Sequence, residues 1–433
     1  MNRLLRLTFA AAVLTIGLDQ YRPFLGAVGN LSDVLFQGVF IVGAALWFVR
    51  LDAERLQRLL HVGRELEPLL WGGVLLTLGG AIASLQSAAP PESWHVTLKY
   101  FGTFCVWLPW VALAVERYLS ANRACVLYAL GFCFIAVATL SDLLVGTRFG
   151  AMLVSTPVYE VNLESVAGVF RYGGPTGHPN TLGYVSMIGF LLCLSGIARV
   201  TWRGLTPWLV GLVPCGAVLL ISGSRAAFVG LVVGSLVVLL LSGRAAKARI
   251  LGALLACLAA MWISLGASDL PSDVNPVVRL VESFKPRRSF EADWQRRRDL
   301  GLSQRLLSHD PITGYGMEDI GTSTPPTKVA FILPHYVVLQ SWVAGGVLAL
   351  FGTLWLYGTT LWLAWKAVRQ GRPWAVGLLA TCVAFILMDM VHPGLNQRFK
   401  WFAVALLVAT LRPPPPVAHQ GHFAAASVAR LAS

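Results

Sequence analysis

Residues 336–365 read YVVLQSWVAGGVLALFGTLWLYGTTLWLAW, with no Asp, Glu, Lys, Arg or His among them. A helix crosses the hydrocarbon core of a bilayer with about 20 apolar residues, so this stretch is long enough to span one. Working outward in both directions, the pattern returns at Leu4–Leu18, Asp33–Val49, Leu69–Leu85, Leu98–Val115, Cys125–Val145, Thr181–Ile197, Leu205–Ile221, Ala227–Leu241, Ile250–Leu265, Trp374–Met390 and Phe402–Leu411. The chain therefore reads as an all-α integral membrane protein of about twelve transmembrane helices. Composition agrees: 56% of the 433 residues are apolar and 13% are charged, against about 25% charged in soluble domains. A water-soluble enzyme is excluded.

The surplus of 34 Lys and Arg over 21 Asp and Glu would suggest a nucleic acid in a soluble protein. In a membrane protein it collects in cytoplasmic loops, and no nucleic-acid partner is expected. With the N-terminus inside, Arg3, Arg6, Arg50, Arg55, Arg58, Arg64, Arg117, Arg123, Arg199, Arg203, Arg244, Lys247, Arg249, Lys366, Arg369, Arg372, Arg412 and Arg430 all fall on one side. That side is cytoplasmic, and both termini lie there. The segment after Arg6 lacks a small-residue cleavage site and reads as the first span.

The chain divides into residues 1–266, nine helices with a moderate outer loop at 146–180; 267–334, a large periplasmic loop; 335–412, helices ten to twelve; and 413–433, a Pro-rich, then Ala/Ser-rich disordered cytoplasmic tail. Within the large loop, residues 291–308 favour a helix. Seven cysteines lie in apolar runs with no CxxC pair, so they read as packing residues. The absence of an internal repeat disfavours duplicated transporter folds.

Three outer-side constellations carry polar chemistry. Residues 170–180, FRYGGPTGHPN, form either a turn-rich loop or an anion cradle of backbone N–H groups with Arg171. Arg225, in Ser222-Gly223-Ser224-Arg225, sits between two apolar runs, where an arginine faces a cavity or partner or snorkels to the headgroups. His335 stands where the large loop re-enters the bilayer, as a base or as a helix-start residue. Asp389, three residues before His392, can orient an arginine or a histidine or serve as an interface polar residue. The spacing of His, Cys and acidic residues suggests no metal, and no nucleotide-binding motif is present. A cofactor is therefore not expected, and any reaction must draw on a substrate that is already activated.

Together these elements resemble the O-antigen ligase family, bacterial membrane transferases that include glycan polymerases and oligosaccharyl ligases. Arg171, Gly174, His178, Pro179, Asn180 and Gly183 match its R-x-x-G and H-P-N-x-x-G elements, and Ser224 and Arg225 its S-R element. Pro311, Gly314 and Gly316 match P-x-x-G-x-G, while His335, Leu339, Gln340 and Gly346 match the histidine element that follows. The resemblance implies a fold like the GT-C glycosyltransferases. It implies transfer of a glycan from undecaprenyl diphosphate to the lipid A core at the periplasmic face of the inner membrane, without metal or ATP and with inversion. Its site residues would be His335 as catalytic base, Arg225, Arg288, Arg171 and Arg296 on the diphosphate, and Asp389, His178 and Asn180 in support. An O-antigen polymerase on the same carrier, or a flippase for it, are the alternatives.

Overall fold

The computed structural model describes residues 2–18, 31–48, 53–145, 164–166, 169–171, 173–176, 178–266, 286–317, 336–392 and 394–411. Each of the twelve apolar runs falls on helix. The order is α1 (Asn2–Thr15), α2 (Leu31–Phe48), α3 (Ala53–Leu85), α4 (Pro90–Phe101), a π-helical segment Gly102–Trp107, α5 (Leu108–Tyr118) and α6 (Ala121–Val145). A two-stranded hairpin follows, β1 (Glu164–Val166) and β2 (Val169–Arg171). Next come α7 (Pro179–Arg199), α8 (Thr206–Ser222), α9 (Arg225–Leu241), α10 (Arg244–Gly266), α11 (Pro286–His309), α12 (Val337–Arg369), α13 (Ala375–Asp389) and α14 (Arg398–Thr410).

Five of these stretches are long and apolar enough to cross a membrane: Gly63–Leu85, Pro90–Val115, Ala121–Leu143, Pro179–Arg199 and Val337–Arg369. Thr206–Ser222, Arg225–Leu241 and Ala375–Asp389 are apolar but shorter. On α12, Phe351, Leu354, Trp355 and Trp362 are each about half exposed, a cluster of large apolar side chains of the kind that faces lipid or a partner. The molecule is a multi-pass membrane protein.

Helices in lipid gain little from excluding water from one another, so they associate through close packing at small residues. α3 and α12 run antiparallel on that principle. Gly72 faces Leu356, Gly352 faces the Leu76 backbone, and a Cβ on Gly79 would lie 2.5 Å from the Gly345 carbonyl oxygen. The enclosed helix α7 packs antiparallel to α8, through Gly196 on Trp208, and parallel to α9, through Gly183 on Ser224 and Gly230 on Met187. Gly230 and Gly234 of α9 also abut the Ala384 and Ala380 carbonyls of α13. The thiols of Cys133, Cys193 and Cys215 meet where α6, α7 and α8 converge, with Sγ–Sγ distances of 3.5 and 4.0 Å. They are free.

Two expected helices are interrupted. The run 98–115 is continuous from α4 through α5, but the turn ahead of Pro109 widens to π geometry, as a residue without an N–H favours. The run 336–365 breaks at Gly346, whose φ of 66° and ψ of −165° are not helical. At the end of the bundle holding Arg199, Lys366 and Leu411, cations are used on backbone and acid groups. Arg249 Nη2 donates to Ala198 O (3.0 Å) and Arg372 Nη2 to Leu411 O (3.2 Å), satisfying carbonyls at helix C-termini. Lys366 pairs with Glu65 at 2.8 Å.

Candidate functional site

At the other end of the bundle, α7 begins with a fixed entry. In the hairpin, Arg171 closes the register opposite Glu164. The chain then turns through Gly174, which has a φ of 51°, and the Thr176 hydroxyl donates to Gly173 O at 2.7 Å. His178 is the N-cap of α7 and Pro179 opens its first turn, where a missing N–H costs nothing. The cap is unusual, because the imidazole Nδ1 accepts the Asn180 backbone N–H at 3.1 Å. Accepting requires an unprotonated Nδ1, so the neutral ring carries its proton on Nε2. Asn180 Nδ2 in turn donates to His392 Nδ1 at 3.2 Å, and the two imidazoles stack with centroids 5.4 Å apart. His178, Asn180 and His392 thus form one polar face.

The S-R element lies beside it. α8 ends at Gly223 in the left-handed region, Ser222 Oγ accepts the Ser224 N–H (3.2 Å), and Ser224 caps α9 by accepting the Ala227 N–H (3.4 Å). Gly183 is required here by space: its Cβ would come within 2.8 Å of Ser224 Cβ. The half-buried Arg225 is therefore the first residue of α9. A cation there opposes the helix dipole, while the free N–H groups of a helix start suit an anion.

Behind this face lies a buried ion pair. Asp389 and Lys400 are both fully buried, and Lys400 Nζ lies 2.6 Å from each Asp389 oxygen. The Tyr357 hydroxyl donates to Asp389 Oδ2 at 2.7 Å, and the Tyr184 hydroxyl donates to Oδ1. Asp389 thus takes Lys400 and two tyrosines as its partners, inside the bundle and not at an interface. It reaches His392 through Tyr184, whose ring centroid is 6.0 Å from that imidazole. The reason is where α14 starts: at Arg398 and not at Phe402, so Lys400 lies inside a helix and needs a counter-charge. α13 has 15 residues and α14 has 13. At 1.5 Å per residue these are about 22 and 20 Å long, short of the about 30 Å of a hydrocarbon core. Their connection carries His392.

The P-x-x-G-x-G element mends the break in α12. Tyr315 N–H donates to Val343 O (3.0 Å), Gly316 N–H to Ala344 O (2.9 Å), and Val347 N–H to Ile312 O (3.0 Å). Gly314 and Gly316 take φ of 79° and 118° to do so, and Met317 N–H donates to Ser93 Oγ at 2.7 Å. Gln86 Nε2 anchors the segment by donating to Gly314 O (2.7 Å) and Asp310 Oδ2 (3.0 Å). Asp310 loses some hydration here, but hydrogen bonds from the Thr313 hydroxyl, the Thr313 and Ile312 amides and Gln86 outweigh that and hold its carboxyl below its usual range. It ionises more readily folded than unfolded, so its stabilisation is complete above about pH 4, its ordinary value, and is withdrawn as pH falls through the lower folded value. The acid limb of a Tm-against-pH curve should therefore be shallower in Asp310→Asn. Equal limbs would remove Asp310 from the account of this segment.

His335, one residue before the described start of this region, lies outside the described residues. The backbones of Arg288 and Arg296 lie on α11 and that of Arg171 on β2, with their side chains outside the description. α11 is tied to the mending segment by the Tyr315 hydroxyl, which donates to Leu306 O at 2.9 Å. The structure thus brings His178, Asn180 and Asp389 into one network and sets Arg225 one helix away. Sequence reading missed His392, Tyr184, Tyr357 and Lys400 as members of it. Lys400 alone had a signal, a single cation between Phe399 and Trp401. Among the described residues, no group of three His, Cys, Asp or Glu side chains is arranged to hold a metal ion.

No curated protein matches the chain. Residues 210–354 match the family model described as O-antigen ligase, a segment that opens in α8, contains Arg225 and the mending segment, and closes past the break at Gly346. Over that third of the chain, the sequence is similar to the O-antigen ligase family.

Proposed function

We propose that the protein is an O-antigen ligase, transferring a glycan from undecaprenyl diphosphate to the core oligosaccharide of lipid A at the periplasmic face of the inner membrane. The observation that carries this reading is the match of residues 210–354 to the O-antigen ligase family. On the same reading the chain has twelve spans in a GT-C-like arrangement, both termini are cytoplasmic, and the end bearing His178 and Arg225 faces the periplasm.

In the reaction, His335 takes the proton of the acceptor hydroxyl as its oxygen bonds to the anomeric carbon. The bond from that carbon to the diphosphate oxygen breaks, its electron pair leaves with the diphosphate, and attack from the opposite face inverts the centre. Arg225 and Arg288 neutralise the charge developing on the leaving group, with Arg171 and Arg296 as further anion contacts. Charge-assisted hydrogen bonds of this kind suit phosphate and act where charge grows in the transition state. The diphosphate carries its own activation, so neither metal nor ATP enters. Asp389, His178 and Asn180 support the site. The position of Arg225 at a helix start adds the N–H groups of that turn to its own charge.

The test is an assay of purified protein with undecaprenyl diphosphate-linked glycan and core lipid A, run with chelator and without ATP. Glycan should appear on lipid A with wild type and fall by about 100-fold or more in His335→Ala and in Arg225→Ala, the scale of a lost general base or charge stabiliser. Longer glycan on the carrier with none on lipid A would make the protein a polymerase. No covalent product of either kind would move it to the flippase class.

A further inference from the structure

We propose that Lys400 is a positioning residue of the transfer site, acting with Asp389 as a buried strut. This rests on the transferase reading above. Taking an ion pair out of water costs more than its attraction commonly returns, and well-packed apolar residues of similar volume are as stable or more so. A fully buried pair in an apolar bundle is thus poorly explained by stability alone. Ionisable groups inside a membrane protein point to function.

The geometry shows what the pair holds. Lys400 bonds both Asp389 oxygens at 2.6 Å, and Tyr184 and Tyr357 complete the carboxylate's partners. The ammonium also lies over the Tyr184 and Phe385 rings, at 5.5 and 5.9 Å from their centroids. Asp389 ends α13 and Lys400 lies in the first turn of α14, so the pair closes the connection between them like a clasp. That connection carries His392, which meets Asn180 and His178 at the start of α7. The Tyr184 hydroxyl ties α7 to the same carboxylate, and Tyr357 ties in α12 below its break. One carboxylate therefore fixes three elements next to the proposed site: α7, which bears Asn180 and follows His178; the α13–α14 connection, which carries His392; and α12, which follows His335. Lys400 acts through these elements and not on substrate.

The experiment compares wild type, the double variant Asp389→Leu with Lys400→Met, and Tyr184→Phe, measuring Tm in detergent together with kcat and donor KM in the transfer assay. The double variant leaves no stranded charge, so its Tm should stay within a few degrees of wild type. Its kcat should fall by about 10- to 100-fold, the scale of small misplacements of reacting groups, with donor KM changed much less. Tyr184→Phe, which removes one hydroxyl bonded to the buried carboxylate, should lower Tm by a few degrees while remaining folded, and lose several-fold in kcat. A double variant with native Tm and at least half of wild-type kcat overturns the proposal. If the double variant does not fold, Tyr184→Phe, assayed below its Tm, decides: full kcat overturns the proposal, and a several-fold fall in kcat with donor KM little changed supports it. Absence of product from wild type sinks the transferase reading and the role of Lys400 with it, whereas an active wild type beside an unimpaired double variant sinks only the role of Lys400.

Discussion

Gly346→Ala should cost at least about 3 kcal/mol of stability, from a backbone conformation that costs a side-chain-bearing residue up to about 3 kcal/mol and a contact that has nowhere to go. At φ 66° and ψ −165°, Gly346 occupies a region essentially reserved for glycine. A Cβ there would also lie 2.0 Å from Ile312 O, a backbone atom already engaged by the Val347 N–H. Relief would require the segment 311–317 to withdraw and leave the Val343 and Ala344 carbonyls unpaired. The control is on the same helix: nothing lies within 4 Å of a Cβ at Gly358, and Gly358→Ala should be neutral or stabilising by up to about 1 kcal/mol. Thermal unfolding of the two purified variants beside wild type measures both. Coincident curves for the two substitutions would mean that the break at Gly346 is not a feature of the native state.

Lys400→Met alone is expected to destabilise by about 3–5 kcal/mol, the range for removing one partner of a buried pair. The substituted side chain has nearly the same length and fills the same space, so the loss is electrostatic and not a cavity. It leaves the Asp389 carboxylate with only the two tyrosine hydroxyls. The discriminating measurement is a double-mutant cycle, because adding Asp389→Leu should restore most of the lost Tm. A double variant less stable than Lys400→Met would show that the residues contribute through packing independent of their charges.

The membrane character of the fold was legible because span formation depends on apolar length, a property of the linear chain. All twelve apolar runs lie on helix, and α11 lies where residues 291–308 favoured one. What could not be read was the interior of a run. Gly345-Gly346 looks like any pair of small residues in an apolar helix until the segment 311–317 is brought against it. The site was legible in part for the same reason. The Gly314, Gly316 and Gly346 positions stand out as motif residues, and each turns out to need a positive φ. His178 and Asn180 stand out likewise and share hydrogen bonds. Lys400 falls outside the twelfth apolar run, which begins at Phe402, after the charge; a counter-charge eleven residues upstream and two tyrosines on other helices are needed to make its burial intelligible. Tyr184, Tyr357 and His392 carry no local pattern, since their association depends on how α7, α12 and α13 cross.

The mended break in α12 also bears on how the chain is sorted during insertion. In hydrocarbon, an unpaired backbone group costs several kcal/mol, and α12 cannot pair those of Val343, Ala344 and Val347 from within itself. Their partners come from Tyr315, Gly316 and Ile312, which are synthesised earlier and, on the orientation proposed above, stand on the far side when α12 enters. A chain that retains that segment on the near side leaves three orphaned groups in lipid. On that orientation, such an inverted intermediate carries a penalty in hydrogen bonding that adds to the pull of the basic residues.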